Sequence, residues 1–275
     1  MDRLPVRHCL LDWSTRKVHR LTNEQQAGYS WNVVAWSSDD RTIYANRVNP
    51  PFIDADTYSI DVATGKLENL TSHQGTIRYL ASSLSPDGGT LLLRSDAKGG
   101  YMNIALLDLG SRKITWATDL RWEAYAGSFS PDGKNYSYVV NENALIDAYL
   151  ANRSTNRAEK LDLPHGLNSF SGNPSEFASQ GDRVIVSHAS NQPGDLWVYS
   201  LASRHADQLP FPRLPACVPR RSRPPRSSIT GASTERPSAL CSGCRLTWSG
   251  TGPIRRWCFR TGAPPARWLT IGTPT

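Results

Sequence analysis

The phrase Leu84-Ser85-Pro86-Asp87-Gly88 returns as Phe129-Ser130-Pro131-Asp132-Gly133. A weaker copy stands earlier, Trp36-Ser37-Ser38-Asp39-Asp40, and a degenerate one later, Phe177-Ala178-Ser179-Gln180-Gly181. The intervals are 48, 45 and 48 residues. A period of this size makes the chain a row of similar units that bury their apolar faces against one another. A second landmark keeps the same step. Tyr58-Ser59-Ile60-Asp61 through Leu70-Thr71 reads as a strand, a tight turn and a short strand. Its turn-opening position recurs as Asp12, Asp61, Asp108, Asn152 and Ser200, at intervals of 49, 47, 44 and 48.

Each unit reads as four strands. Tyr79–Leu84 leads into a Ser-Pro-Asp-Gly turn, where Pro presets φ and Gly accepts a positive one. Thr90–Arg94, Asn103–Asp108 and Lys113–Trp116 complete that unit, and Trp122–Phe129, Asn135–Val140 and Leu145–Leu150 begin the next. Short aromatic and β-branched runs between Asp-Gly turns are a sheet signal, and residues 30–210 hold no capped helical period. The expected fold is all-β: a partial β-propeller of four-stranded blades, followed by an irregular tail. Residues 1–27 read as the last strands of an incomplete blade, 28–210 as four blades and 211–275 as the tail. Trp36, Leu84, Phe129 and Phe177 are expected to pack between blades, and the turn aspartates to accept turn hydrogen bonds. An open arc exposes strand edges, so edge-mediated self-association is expected.

The net charge of +7 is unevenly spread. Residues 1–210 sum to −3, whereas residues 211–275 carry 11 Arg, no Lys and only Glu235 as an acid. These basic residues stand among Pro and Gly with no recognisable nucleic-acid module, so no nucleic-acid partner is expected. No apolar run approaches the roughly 20 residues that span a bilayer, so no membrane partner is expected either. The N-terminus has no apolar signal core, which places the chain as written in the cytoplasm.

From Phe211 the period stops. Arg, Pro, Gly, Ala, Ser and Thr are what GC-rich codons yield when read in the wrong frame. Synonymous codons for Thr261–Thr275 permit a reading one nucleotide earlier that begins His-Gly-Gly-Pro. At the same offset, Pro225–Thr234 permits Pro-Glu-Ile-Val-His-Tyr-Arg-Ser-Phe-Asp. The tail is therefore expected to be an out-of-frame read.

The Ser-Pro-Asp-Gly blades of residues 6–210 resemble the propellers of the prolyl oligopeptidase family of serine peptidases, including acylaminoacyl-peptidase-like members. They also resemble the propeller of TolB-like proteins. The peptidase resemblance implies a propeller that covers a hydrolase and restricts access to short peptides. It also implies a His-Gly-Gly-Pro oxyanion loop, which occurs here only in the alternative frame, where Thr261-Gly262-Ala263-Pro264 actually stand. The family's nucleophile lies in a Gly-x-Ser-x-Gly elbow, and this sequence has none. No catalytic residue, cofactor or metal is therefore assigned. The chain is expected to be an inactive propeller fragment of a peptidase, or alternatively a TolB-like propeller that binds a peptide or protein. His165, Ser171 and Asp182 are read as loop polarity rather than a catalytic set. Cys241-Ser242-Gly243-Cys244 has zinc-pair spacing, but Cys217 and Cys258 form no second close pair, and the cysteines are read as accidental. A propeller lactonase or glycosidase needs gathered acids or metal ligands, and no pattern here separates such a set from the repeat.

Overall fold

The computed structural model describes residues 9–209, apart from 13, 27, 171–175 and 191–193. β1 (Cys9–Leu11) and β2 (Val18–Arg20) form a hairpin. The first blade is β3 (Ser30–Trp36), β4 (Thr42–Asn49), β5 (Asp54–Asp61) and β6 (Leu67–Asn69). The second is β7 (Tyr79–Leu84), β8 (Thr90–Ser95), β9 (Asn103–Asp108) and β10 (Ile114–Trp116). The third is β11 (Glu123–Phe129), β12 (Asn135–Glu142), β13 (Leu145–Asn152) and β14 (Ala158–Lys160). The fourth is β15 (Leu167–Phe170), β16 (Arg183–Ala189), β17 (Asp195–Ser200) and β18 (His205–Gln208). The described chain is thus all-β, a partial β-propeller of four-stranded blades preceded by a two-stranded hairpin. The tail and its four cysteines lie outside the described residues.

The two sequence landmarks are the two kinds of turn. Ser37, Ser85 and Ser130 donate their hydroxyls to Asp39, Asp87 and Asp132 at 2.6, 2.5 and 2.7 Å. Each serine oxygen also accepts the backbone N–H five residues on, at 2.9 Å. Asp40, Gly88, Gly133 and Gly181 occupy the same left-handed position, with φ between 59° and 71°. In the fourth blade Ala178 and Gln180 replace the Ser–Asp pair, and the backbone alone closes the turn through Ala178 N–H to the Arg183 carbonyl at 2.9 Å. At the second landmark, Asp12, Asp61, Asp108 and Asn152 accept bonds from backbone and hydroxyl groups two or three residues on. This is the Asx-turn chemistry that competes with regular structure and favours these residues at turns. The Thr64 and Ser111 hydroxyls are the main reason that Asp61 and Asp108 stay below the usual carboxylate range. These carboxylates are committed to holding turns.

The core is a series of seams between blades. Alternate residues of a strand point to opposite faces. Leu91 and Leu93 of β8 therefore pack toward Tyr44 and Leu70 of the first blade. Leu92 packs toward Phe129 and Tyr136 of the third. A third seam joins Val139 and Ala148 to Phe177, Val184 and Val186. Each fully buried aliphatic side chain stabilises by roughly 1.5–3 kcal/mol. Phe129 and Phe177 are buried, while Trp36 and Leu84 pack half-buried at the rims of their seams.

Backbone bonds also cross each junction. Ala55 N–H donates to Ile77 O, Ala124 N–H to Met102 O and Ile146 N–H to Gly166 O, at 2.8–3.0 Å. At the last junction this contact extends into a parallel bridge between Ile146 and Leu167. The third and fourth blades are thereby joined into one eight-stranded sheet, where the repeat alone implies separate blades.

Candidate functional site

The first strand of every blade runs from the loops that join blades toward the Ser-Pro-Asp-Gly turn. The second strand returns, so both the interblade loops and the loops between second and third strands lie at one end. The two tight turns of every blade lie at the other. Most of the exposed large apolar side chains follow this polarity. Phe52, Ile53, Tyr101, Trp122, Leu145 and Leu167 all stand at or beside the loop end. Val18 and Leu67, on outer edge strands, and Ile185, just after the first turn of the fourth blade, lie apart from them.

The first strands are also the inner ones, since β3 touches β7 and β7 touches β11. Two hollows open along them. One, of about 430 Å³, is lined by Asn32, Asn46, Leu80, Ser82, Arg94 and Tyr125. The other, of about 360 Å³, shares Ser82 and Tyr125 and adds Gly127, Ile146, Ser169 and Phe170. Together they form a shallow inner surface bearing one guanidinium, small hydroxyls and the rings of Tyr125 and Phe170. A larger hollow, of about 540 Å³, lies between the outer strands of the third and fourth blades. Several of its polar groups are already used, Asn152 in capping its turn and Arg204 in pairing with Glu159 at 3.2 Å, and its remaining guanidinium, Arg157, is exposed to solvent. It is the gap between two diverging blades, and the inner surface is the better candidate.

Arg94 is the notable group there. It is half-buried, its guanidinium lies 5.0 Å from the Tyr125 ring centroid, and among the described residues it makes no hydrogen bond or ion pair. Burial pulls it below its ordinary value, opposed by Tyr125 and Glu123 and assisted by Arg78. The neighbouring cations are paired, Arg78 to Asp96 and Arg47 to Glu24, both at 2.7 Å.

His73 anchors the chain where the first blade meets the second. Its Nε2 lies 2.9 Å from Asp54 and its Nδ1 3.0 Å from the Thr71 carbonyl and 3.2 Å from Asp56. Burial, the largest influence, opposes its charge, but the Thr71 carbonyl and the two aspartates together raise it above its ordinary value. The stability it contributes is therefore full below the ordinary histidine range and fades as pH rises through the raised value. His73→Gln is expected to cost about 1–3 kcal/mol at pH 6 and less at pH 9, read from urea midpoints at the two pH values.

His165 lies in the loop before β15, at the loop end, and Asp182 lies in the turn before β16, at the opposite end. The fold does not bring them together, and Ser171 lies outside the described residues. The three positions that stand out structurally, Arg94, Gly127 and Glu176, were not singled out by motif. Their signal is internal to the repeat. Counting back from each turn, Gly127 stands where the other blades have Val34 and Ser82, and Glu176 where they have Ala35, Ser83 and Ser128.

Among the described residues no helix is long and apolar enough to cross a membrane. No protein-family model and no curated protein matches the sequence. Solved structures do match. TolB from Acinetobacter baumannii aligns with a TM-score of 0.52 at 18% identity, over 74% of this chain and 48% of that one. Porphyromonas gingivalis dipeptidyl peptidase 4 aligns with a TM-score of 0.59 at 16% identity, over 75% of this chain and 29% of that one. A puromycin-hydrolyzing peptidase from Mycobacterium tuberculosis gives 0.54 at 15%, over 70% and 30%. The chain thus spans about half the length of the TolB and less than a third of either peptidase, and what it shares with all three is the β-propeller fold.

Proposed function

We propose that residues 28–210 are a non-catalytic propeller segment of a serine peptidase, which receives a short peptide at the loop end of its inner face. The observation that carries this reading is the inner surface around Ser82, Arg94 and Tyr125, close to a loop end bearing six exposed large apolar side chains. Binding sites favour such a combination of apolar area with a few convergent polar groups. In the intact enzyme class this segment would gate access to a hydrolase. Here the absence of a Gly-x-Ser-x-Gly elbow leaves no nucleophile to assign. The period break at Phe211 and the shared offset of the two back-translated windows support a tail read out of frame.

A second reading, a TolB-like propeller that binds a peptide or protein without any hydrolase, rests on the same inner surface. In either case the open blade edges favour self-association. Incubating the purified chain with N-acetylated and proline-containing peptides tests the shared claim. Saturable binding without cleavage is expected. Sustained cleavage abolished by a covalent serine-hydrolase inhibitor would contradict it.

A further inference from the structure

The repeat exposes a substitution at one blade junction. Asn46 stands nine residues after Ser37, Arg94 nine after Ser85 and Val139 nine after Ser130. Strand register confirms the equivalence, since these residues pair with Asn32, Leu80 and Tyr125, each five residues before its turn serine. Asn46 clasps the next blade: its amide donates to the Ala81 carbonyl at 2.8 Å, and its carbonyl oxygen accepts the Ala81 N–H at 2.9 Å. The position equivalent to Ala81 in the following blade is Ala126. Arg94 makes no such clasp. Its guanidinium lies over Tyr125 instead, in the hollow that Asn32 and Ser82 also line.

A half-buried guanidinium with no acid in ion-pair contact, and only Glu123 acting on it from farther off, is an unfavourable thing to keep for stability alone. A carboxylate would complete it with two parallel charge-assisted hydrogen bonds, while Tyr125 keeps the guanidinium plane in place. The Asn32 amide makes no hydrogen bond among the described residues and borders the same hollow. We infer that Arg94, held over Tyr125, is a carboxylate-binding subsite, selecting peptides that place a terminal or side-chain carboxylate at the loop end of the inner face. This inference rests on the inner face being a peptide-binding surface.

The test uses the full chain and an N-acetylated hexapeptide pool of Ala, Leu, Pro, Ser and Tyr, prepared once as the free acid and once as the C-terminal amide. The free acid is expected to bind about tenfold or more tightly than the amide. Arg94→Gln is expected to abolish the difference between acid and amide and to leave thermal stability unreduced. Arg94→Lys is expected to keep part of the preference; should Arg94→Gln fail to fold, loss of the whole preference in the Lys variant overturns the inference. Equal binding of acid and amide by the parent chain overturns the subsite and leaves peptide binding standing. Binding of neither form overturns the inner-face reading itself, and the subsite with it.

Discussion

Alanine at position 127 is expected to cost the fold about 1–3 kcal/mol, the usual range for forcing extra atoms into a packed interior. A Cβ on Gly127 would run into Ser137 Oγ and lie 2.5 Å from Glu176 Oε1. Neither neighbour is free to retreat. Glu176 is fully buried and accepts the Ser128 N–H at 2.9 Å, and Ser137 donates to the same carboxylate oxygen. Gly127 is thus a hole in the third blade into which the fourth blade inserts its carboxyl. Urea unfolding at constant m-value reads the loss. Combining Gly127→Ala with Glu176→Ser, which restores the small residue of the other blades, is expected to recover part of it, so the two changes couple. Additive losses would mean that Ser137 alone, and not Glu176, holds off the added methyl.

Glu176→Gln is expected to make the protein more stable at alkaline pH and to leave it nearly unchanged at pH 4. Burial raises the Glu176 carboxyl above its ordinary value of 4.5, against the opposing pull of backbone and hydroxyl donors. Its second oxygen is buried without a hydrogen-bond partner among the described residues. The folded state therefore holds the proton where the unfolded chain has lost it. As pH rises from the ordinary glutamate range through the folded value, stability falls by up to about 1.4 kcal/mol per pH unit from this one group. Glutamine imitates the protonated acid and removes that slope. His73 adds a loss of the same sign at higher pH, so the parent chain should be most stable in mildly acidic solution. Below that range the turn carboxylates Asp39, Asp61, Asp108 and Asp132, all held low by serine or threonine hydroxyls, begin to protonate and reverse the trend. Parallel stability curves for parent and Glu176→Gln between pH 4 and pH 8 would contradict this assignment.

The strands were legible because local chemistry and repeat agree. The Ser-Asp turns and the Asx turns are closed by side chains within five residues of each other, so their geometry is written into short segments. Tyr79–Leu84 and Asn103–Asp108 were readable to the residue as β7 and β9 for that reason. The site was not legible, because its features are departures from the repeat whose meaning depends on the neighbouring blade. Gly127 looks like an unremarkable strand glycine until Glu176 is placed opposite it, 49 residues away. Arg94 looks like a strand-end arginine until Asn46 shows what that position does elsewhere. The parallel bridge from Ile146 to Leu167 was equally hidden, since it depends on how two blades meet and not on either alone.

The claim that this propeller belongs to a serine peptidase is tested most directly by the nucleotide sequence of the gene, from about codon 200 to well beyond the stop. Moving the frame by one nucleotide is expected to yield His-Gly-Gly-Pro, then a Gly-x-Ser-x-Gly elbow and later an Asp and a His. An alternative frame closed by early stop codons would contradict it and leave the TolB-like binding propeller as the reading of this fold.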